Sequence, residues 1–462
     1  MRRLCLIALL LVMCAAGTPA AAAPGDLTTL YGVPDLNGNS PLHAPRGVAE
    51  ARDGSILVAD TENHRVLRVT RDGVATTIAG ILDQPGFSGD GGPATQATLR
   101  YPRGVAALAD GSFLIADSDN YRVRRVSRAG VITTVAGGGE VTDGSDPRRV
   151  RLGWPESVVA APGGGFLIVE SSAVGQIRRV LPNGTITRVA GGGPDEDSEG
   201  IPATAARFSS PTDASFTRDG GILVTDSVNN RIRLVAPNGT ITTVAGIGYQ
   251  GTGATGDGGP ATAAQIGRPH AVAASSDGGF LIAQELDHRI RQVSPGGTIT
   301  TLAGGPARGS VSYPHDLILL ARGGGVVADT GHDLVSLLET DLRPASPRAA
   351  TGPPRCTAGP VGLAITGWTR PRFRSLLGGA WRVFVTAPAA GRISTRLAAR
   401  GRTLARRTAI VRQAEPTTVR LRRVRGSRAV VRGHRALRAR VTVRFRSKAS
   451  KGSVQCAVRF RR

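Results

Sequence analysis

Six positions along the chain combine residues able to bind or catalyse with a regular spacing. Each position follows a proline, and successive prolines are 57, 53, 56, 58 and 45 residues apart. The six residues are Arg46, Arg103, Glu156, Thr212, His270 and His315. Two arginines beside two histidines suit an anionic ligand, because guanidinium groups form paired hydrogen bonds and imidazole is a titratable donor. His270 and His315, with Glu156 or Asp316, suit a divalent metal instead.

Short β-strands must position these residues. Between Pro102 and Gly137, four apolar segments rich in β-branched residues are separated by Asp110-Gly111, by a polar corner at Asp117–Asn120 and by Ala129-Gly130. Four strands per unit, repeated six times, are typical of a β-propeller, in which each blade needs neighbours to cover its faces. The sequence therefore predicts an all-β fold with a six-bladed propeller over residues 24–339.

The last strand of each unit carries the pattern T-T-x-x-G, and its offset predicts how the ring closes. The pattern first occurs at Thr28–Gly32, before the first proline, and last at Thr300–Gly304, with none after the sixth proline. We therefore expect Gly25–Gly32 to be the outer strand of the last blade. Such a strand leaves no open edge between the first and last blades.

The third strand and the blade connectors resemble those of NHL-repeat proteins. The segments Ala116–Val126, Thr225–Val235 and Ala59–Val69 are similar to NHL repeats, and the G-D-G-G-P-A-T connectors at Gly89–Thr95 and Gly256–Thr262 are similar to those of bacterial NHL proteins. The resemblance implies a six-bladed propeller of a secreted bacterial type. It leaves the function open, because NHL proteins include protein-binding, RNA-binding, sensor and catalytic members.

A recurring D-x-x-N-x-R pattern, as in Asp60, Asn63 and Arg65, is better explained by structure than by function. Aspartate and asparagine suit the tight corner between the second and third strands, and the arginine can pair with a nearby acid. Blades 3, 5 and 6 depart from the pattern at Glu170, Gln284 and His332.

In a propeller, the residue after each proline begins the strand nearest the axis, so we expect the six residues above to line one mouth of the channel. The next positions form a second set: Gly47, Gly104, Ser157, Asp213, Ala271 and Asp316. Because neighbouring strand residues point to opposite faces, we expect only one of the two sets to face the channel.

Propeller enzymes offer incomplete analogies for this mouth. A peptidyl-hydroxyglycine lyase that resembles this fold uses three histidines around zinc, whereas only His270 and His315 match here. Lactonase-like propellers use a calcium cage of acidic and amide groups, for which Glu156, Asp213 and Asp316 are too few. The sequence therefore favours a protein- or glycan-binding scaffold without a cofactor and without catalytic residues. The alternative is a lyase or hydrolase with a metal or anion site at the mouth.

The N-terminus predicts export. Arg2 and Arg3 precede an apolar run from Leu4 to Ala16, and small residues at Ala20–Ala23 suit cleavage, so we expect residues 1–23 to be a signal peptide. No later segment is apolar enough for a transmembrane helix. The sequence predicts a secreted or cell-surface protein, which we expect to be a monomer.

The C-terminal part is a separate and strongly basic region. From Arg343 onward, 30 Lys and Arg residues face one acid, Glu415, whereas the preceding part carries 28 basic and 33 acidic residues. We expect a Pro-rich linker over residues 340–355 and an immunoglobulin-like β-sandwich over 356–462. Cys356 and Cys456 should form a disulfide in an oxidising compartment. An arginine-covered surface should bind an anionic cell-envelope polymer.

Overall fold

The computed structural model describes residues 23–35, 40–141, 146–172, 175–248, 253–305 and 310–345, together with the backbone of nine strands beyond residue 354. The predicted signal peptide lies outside the described residues, except for its last residue. In the described part of the chain, no helix is long and apolar enough to cross a membrane.

Residues 27–338 form six antiparallel four-stranded blades. Strand β1 is Leu27–Tyr31. Blade 1 contains β2 (Pro45–Glu50), β3 (Ile56–Asp60), β4 (Arg65–Val69) and β5 (Ala75–Gly80). Blade 2 contains β6 (Pro102–Ala107), β7 (Phe113–Asp117), β8 (Arg122–Val126) and β9 (Ile132–Gly137). Blade 3 contains β10 (Pro155–Ala160), β11 (Phe166–Glu170), β12 (Gln176–Val180) and β13 (Ile186–Gly191).

The second half of the ring repeats the same order. Blade 4 contains β14 (Pro211–Phe216), β15 (Ile222–Asp226), β16 (Arg231–Val235) and β17 (Ile241–Ala245). Blade 5 contains β18 (Pro269–Ala274), β19 (Phe280–Gln284), β20 (Arg289–Val293) and β21 (Ile299–Gly304). Blade 6 contains β22 (Pro314–Leu319), β23 (Gly325–Asp329) and β24 (Leu334–Leu338). Short 3-10 turns occur at Ala94–Gln96, Ser118–Asn120, Pro147–Arg149, Ala261–Ala263 and Thr330–His332.

The N-terminal strand closes the ring, as the offset of the T-T-x-x-G pattern predicts. Strand β1 pairs antiparallel with β24, with Leu27 opposite Leu338 and Tyr31 opposite Val335. The six inner strands contact one another in sequence, and β22 contacts β2. The prediction of a six-bladed propeller closed by the N-terminal strand is therefore confirmed.

Apolar packing between neighbouring blades holds the ring together. In the described residues, each of the six blade junctions contains its own buried apolar cluster. At the junction of blades 1 and 2, for example, Leu57 and Ala59 of β3 pack with Val105 of β6 and Ile115 of β7. Because the second strand of every blade is buried on both faces, it is a continuous apolar run in sequence.

A repeated hydrogen bond closes the inner corner of each blade. The acceptor is a carboxylate at the end of the second strand or just beyond it, and the donor is the backbone N–H two residues before the proline of the same blade. The pairs, at 2.7 or 2.8 Å, are His43 with Asp60, Arg100 with Asp117, Gly153 with Glu170, Ser209 with Asp226, Gly267 with Asp287 and Ser312 with Asp329. These contacts support a structural role for the D-x-x-N-x-R pattern and its departures.

The segment after blade 6 begins on the propeller rather than as a free linker. Ala345 donates to the carbonyl of Ala274 at 2.7 Å, and Ser276 donates to the carbonyl of Arg343 at 2.8 Å. Leu342 and Ala345 pack against the apolar clusters on the two sides of blade 5. Residues 340–345 of the predicted linker are therefore part of the propeller, because Leu342 and Ala345 find buried apolar partners there.

Beyond residue 354 the described backbone forms nine strands in two sheets. They are β25 (Arg355–Cys356), β26 (Ala364–Trp368), β27 (Arg382–Thr386), β28 (Gly391–Ala399), β29 (Arg402–Val411), β30 (Pro416–Arg420), β31 (Arg422–Arg423), β32 (Ala436–Arg446) and β33 (Lys451–Arg461). One sheet has the order β25-β33-β32-β28-β29-β31 and the other β26-β27-β30. The register places Cys356 opposite Cys456. The sandwich and the disulfide stay predictions.

Candidate functional site

The six residues after the prolines meet at one end of the channel. Arg46, Arg103, Glu156, Thr212, His270 and His315 line a single axial cavity of about 20 Å³. That volume is close to the space that one water molecule needs. The cavity can therefore hold a water or a small ion, but no larger ligand.

Five of the six residues of the second set, all except Ala271, line the same cavity, so the expectation that only one set faces the channel is wrong. Gly47, Gly104, Ser157, Asp213 and Asp316 contact the cavity beside their neighbours from the first set. The pairing register of every inner strand shifts directly after its proline, for example between Pro102 and Gly104 and between Pro314 and Asp316. Such a bulge breaks the alternation of side chains, so two successive residues point to the axis.

Contacts between blades tie most of the mouth together. Arg103 Nη1 lies 2.5 Å from Glu156 Oε1 of the next blade, and its guanidinium lies over the ring of Trp154. Ser157 Oγ donates to Asp213 Oδ1 at 2.9 Å, and Asp213 Oδ2 accepts from the backbone N–H of Val272 at 3.0 Å. The mouth is therefore a set of blade-to-blade links rather than a ring of solvated side chains.

The two histidines of the mouth are packed against each other. Their rings are perpendicular, with centroids 4.3 Å apart. The Nδ1 of His270 lies 2.6 Å from the carbonyl oxygen of His315. Because a carbonyl oxygen can only accept, this nitrogen donates, and Nε2 of His270 keeps its lone pair in the neutral ring.

Burial and nearby arginines keep these imidazoles neutral. Burial, followed by the positive charge of Arg46, lowers the pKa of His270 to about 3. Burial and the neighbouring His270 lower the pKa of His315 well below its ordinary range. Burial also lowers the pKa of Arg46 from its usual value, with Arg103 as the next cause.

Two half-buried carboxyls, Asp213 and Asp316, lie at the mouth on blades 4 and 6. Burial raises the pKa of Asp213 to about 6. Burial, and then the neighbouring charge of Asp213, raises the pKa of Asp316 well above its ordinary range. Asp316 Oδ2 accepts from the backbone N–H of Val48 at 2.8 Å, which joins blade 6 to blade 1. These carboxyls connect blades, as Ser157 does.

Glu285 joins the histidines, and sequence reasoning missed it. His270, Glu285 and His315 each offer one ligand atom, and these atoms lie within 4.8 Å of one another. The sequence does mark Glu285, because this residue departs from the repeat. Sixteen residues after its proline, every other blade has a serine or threonine: Thr61, Ser118, Ser171, Ser227 and Thr330. The metal alternative from the sequence thus gains a third residue, whereas Glu156 pairs with Arg103 and Asp316 with the backbone.

A much larger cleft lies beside the mouth, between blades 3 and 4. Its volume is about 470 Å³, and its lining consists of Trp154, Ser171, Ser172, Arg207, Phe208, Ser209, Ser210 and Val228. This volume lies in the usual range for small-ligand pockets. None of the six residues predicted from the sequence lines this cleft. The cleft depends on connectors whose lengths and conformations do not repeat, so periodicity does not predict it.

The cleft opens on the face of the ring where the inner strands begin, which we call the proline face. This face contains the corners between the second and third strands of each blade. It also contains the residues that precede the prolines. Five large side chains, each at least 36% exposed, lie there: Tyr121, Trp154, Val228, Leu286 and Tyr313. The opposite face carries the short turns of the repeat. The proline face therefore concentrates exposed aromatic and apolar surface.

Comparisons with known proteins agree with this fold. A family model described as the teneurin NHL domain matches residues 82–294, and a model of the NHL repeat matches residues 42–68. The chain is 33% identical to human Teneurin-1 over 102 residues, which are 20% of this chain and 4% of that protein. It is 28% identical to mouse Teneurin-3 over 301 residues, which are 55% of this chain and 11% of that protein. The chain thus spans a small part of the length of these relatives.

The chain is also similar to solved structures at low sequence identity. A protein of unknown function from Bacteroides thetaiotaomicron has a TM-score of 0.51 and 15% identity, over 68% of this chain and 75% of that one. A streptogramin B lyase has a TM-score of 0.45 and 13% identity, over 69% and 97% of the two chains. At sequence identities this low, the similarity is informative about the fold alone. Together, the matches and the blades define the chain as an NHL-repeat protein with a six-bladed propeller.

Proposed function

We propose that this chain is an exported NHL propeller that works as a binding scaffold, with its ligand on the proline face. The observation that carries the proposal is the contrast between the two concave sites. The axial cavity of about 20 Å³ admits a water or an ion, whereas the cleft of about 470 Å³ beside Trp154 admits a side chain or a sugar ring.

The chemistry of the cleft favours a protein ligand. Trp154 is 36% exposed and Tyr121 is 50% exposed, and their rings lie 6.4 Å apart. Serine hydroxyls and Arg207 supply polar contacts beside them. Rigid aromatic side chains next to small hydroxyl groups are typical of protein-binding surfaces, since they bury much area at a low cost in conformational entropy. A glycan is the other ligand class, because hydroxyl-lined aromatic clefts suit sugars as well.

An enzyme acting at the mouth is the second candidate, and the convergence of the six predicted residues favours it. The ion pair of Arg103 with Glu156 and the hydrogen bond of His270 with the His315 carbonyl weigh against it, since both close the space that a substrate would need. We therefore place ligand binding at the cleft rather than at the mouth.

Replacement of Trp154 by alanine should reduce binding of the partner by about 30-fold, because central aromatic residues often contribute about 2 kcal/mol or more to an interface. The full mature chain is used to capture partners from envelope extracts, and the affinity of the captured protein is then measured. Val131→Ala, at an exposed turn of the opposite face, is the matched control. Equal binding by wild type and Trp154→Ala, or a loss confined to Val131→Ala, would place the ligand elsewhere. Competition by wall polysaccharide would indicate a glycan.

We also propose that the basic C-terminal region retains the protein at the bacterial surface through an anionic envelope polymer. The excess of 30 basic residues over one acid from Arg343 onward supports this proposal. Retention of the full chain on isolated cell walls should fall by at least about tenfold when salt rises from low to high concentration, because counterion release drives such binding. Walls stripped of their anionic polymers are the control. Retention that does not change with salt contradicts electrostatic anchoring.

A further inference from the structure

The junction of blades 5 and 6 replaces a repeated structural contact with a cluster of metal-binding residue types. In four blades, the hydroxyl sixteen residues after the proline donates to the carbonyl of the next blade's proline. The donors are Thr61, Ser118, Ser227 and Thr330, at 2.5–2.8 Å. Blade 5 has Glu285 at this position, and an ionised carboxylate cannot donate such a bond. Its Oε1 instead lies 3.7 Å from Nε2 of His315.

Within the described part of the chain, two buried polar atoms of this cluster have no hydrogen-bond partner. They are Nδ1 of His315 and Oε2 of Glu285, and each residue is only 8% exposed. The Nε of Arg268 lies 3.2 Å from Oε2 without forming a hydrogen bond. Unsatisfied groups at this depth are costly unless something else contacts them.

A hydrogen bond already orients one of the two imidazoles for metal binding. The Nδ1 of His270 donates to the carbonyl of His315 at 2.6 Å, which fixes the ring and leaves Nε2 as the free donor atom. Histidines that bind metals usually make this kind of bond through their other nitrogen.

From this geometry we propose that His270, Glu285 and His315 form a binding site for one divalent transition metal of the zinc class. Two imidazole nitrogens and one carboxylate oxygen are a donor set that zinc accepts, with a water as the fourth ligand. The axial cavity of about 20 Å³ has room for that water. The ligand atoms lie within 4.8 Å of one another, and tetrahedral zinc would bring them to about 3.3 Å. Metal binding therefore requires the side chains of Glu285 and His315 to rotate toward His270.

Charged side chains of both signs surround the site. Arg46, Arg268 and Arg103 lie close enough to lower the pKa of His270, and their positive charges oppose a metal. The carboxylates of Glu285 and Glu156 offset part of this charge, since Glu285 pairs with Arg268 and Glu156 with Arg103. The site does not depend on the proposed cleft, because the two lie at different blade junctions.

Zinc titration of the full mature chain after chelator treatment tests the site. We expect the wild type to bind one zinc ion tightly at this site. The affinity for this ion should fall at least about 100-fold in Glu285→Gln and in His315→Ala, so that the wild type binds one equivalent more than Glu285→Gln. Saturating zinc should raise the melting temperature of the wild type by about 5 °C and leave Glu285→Gln unchanged. His332→Gln, in which an exposed histidine contacting Asp329 is replaced, is the matched control and should behave as wild type.

The outcomes separate the alternatives. Circular dichroism first verifies that each variant is folded, and the near-isosteric Glu285→Gln retains the volume of the side chain. Equal zinc binding by wild type and Glu285→Gln would place any metal elsewhere, for example at the cysteines, and overturns the proposal. No zinc binding by the folded wild type also overturns it. The mouth would be an anion site if chloride or phosphate stabilised the wild type but not Arg46→Met, and if zinc gave no such stabilisation. That result also overturns the metal proposal.

Discussion

Deletion of residues 24–31 should destabilise the propeller by about 5 kcal/mol, because the closing strand is lost together with its ladder and its buried side chains. Leu27 packs against the cluster between blades 5 and 6, while Leu30 and Tyr31 pack against the cluster between blades 6 and 1. One short strand therefore contributes to two of the six blade junctions. Its loss also exposes β24 as an unpaired edge.

Urea denaturation of the deletion variant measures this effect, and light scattering measures association through the exposed edge. The control is the double variant Thr28→Ala and Thr29→Ala, which changes the two exposed residues of the strand and keeps its apolar contacts. This control should stay within about 0.5 kcal/mol per substitution of the wild type. A deletion variant as stable and as monomeric as the wild type would contradict closure by β1.

Replacement of Arg124 by methionine should cost about 3–5 kcal/mol, because it leaves the fully buried carboxylate of Asp117 without its buried cationic partner. The side chain of Arg124 has no exposed area. Its guanidinium donates to Asp90 at 2.8 Å and to the carbonyl of Ser88 at 3.0 Å, and it lies 3.3 Å from Asp117. Asp90 belongs to the G-D-G-G connector, so the connector is held to the third strand of blade 2 through this arginine.

The next residue supplies a matched control. Arg125 pairs with Asp110 at 2.5 Å, but the two side chains are 41% and 55% exposed. Arg125→Met should therefore cost no more than about 1 kcal/mol. Chemical denaturation of both variants compares the two effects directly. If Arg124→Met and Arg125→Met have the same free energy of unfolding, burial does not control the strength of these ion pairs. Asp90→Asn in the Arg124→Met background then measures the coupling between the two partners.

The second G-D-G-G connector shows the same arrangement. Arg291 is fully buried and pairs with Asp257, as Arg124 does with Asp90. In blade 4, the equivalent Arg233 is also fully buried and donates to the carbonyls of Glu196 and Ser198. Arg233 also lies 3.6 Å from the carboxylate of Glu199, so in all three blades the arginine of the third strand contacts its connector through an acidic side chain and through backbone carbonyls.

Periodicity in the sequence determined the architecture of the propeller. Strand lengths, the spacing of the prolines and the offset of Thr28–Gly32 predict six blades and the strand that closes them, because each is a local pattern repeated many times. The same repeats predict that the residues after the prolines meet at the axis. The resemblance to NHL repeats agrees with the six-bladed propeller that the repeats predict.

The tertiary structure alone decided what the mouth and the proline face contain. The bulge after each proline brings two successive residues to the axis, which alternation along a strand does not predict. His315 meets His270 and Glu285 only when blade 6 packs against blade 5, since His270 and Glu285 lie at the paired ends of two strands of blade 5. The cleft beside Trp154 arises from connectors that do not repeat. Repetition specifies the framework through local patterns, whereas sites form where distant departures from the repeat come together.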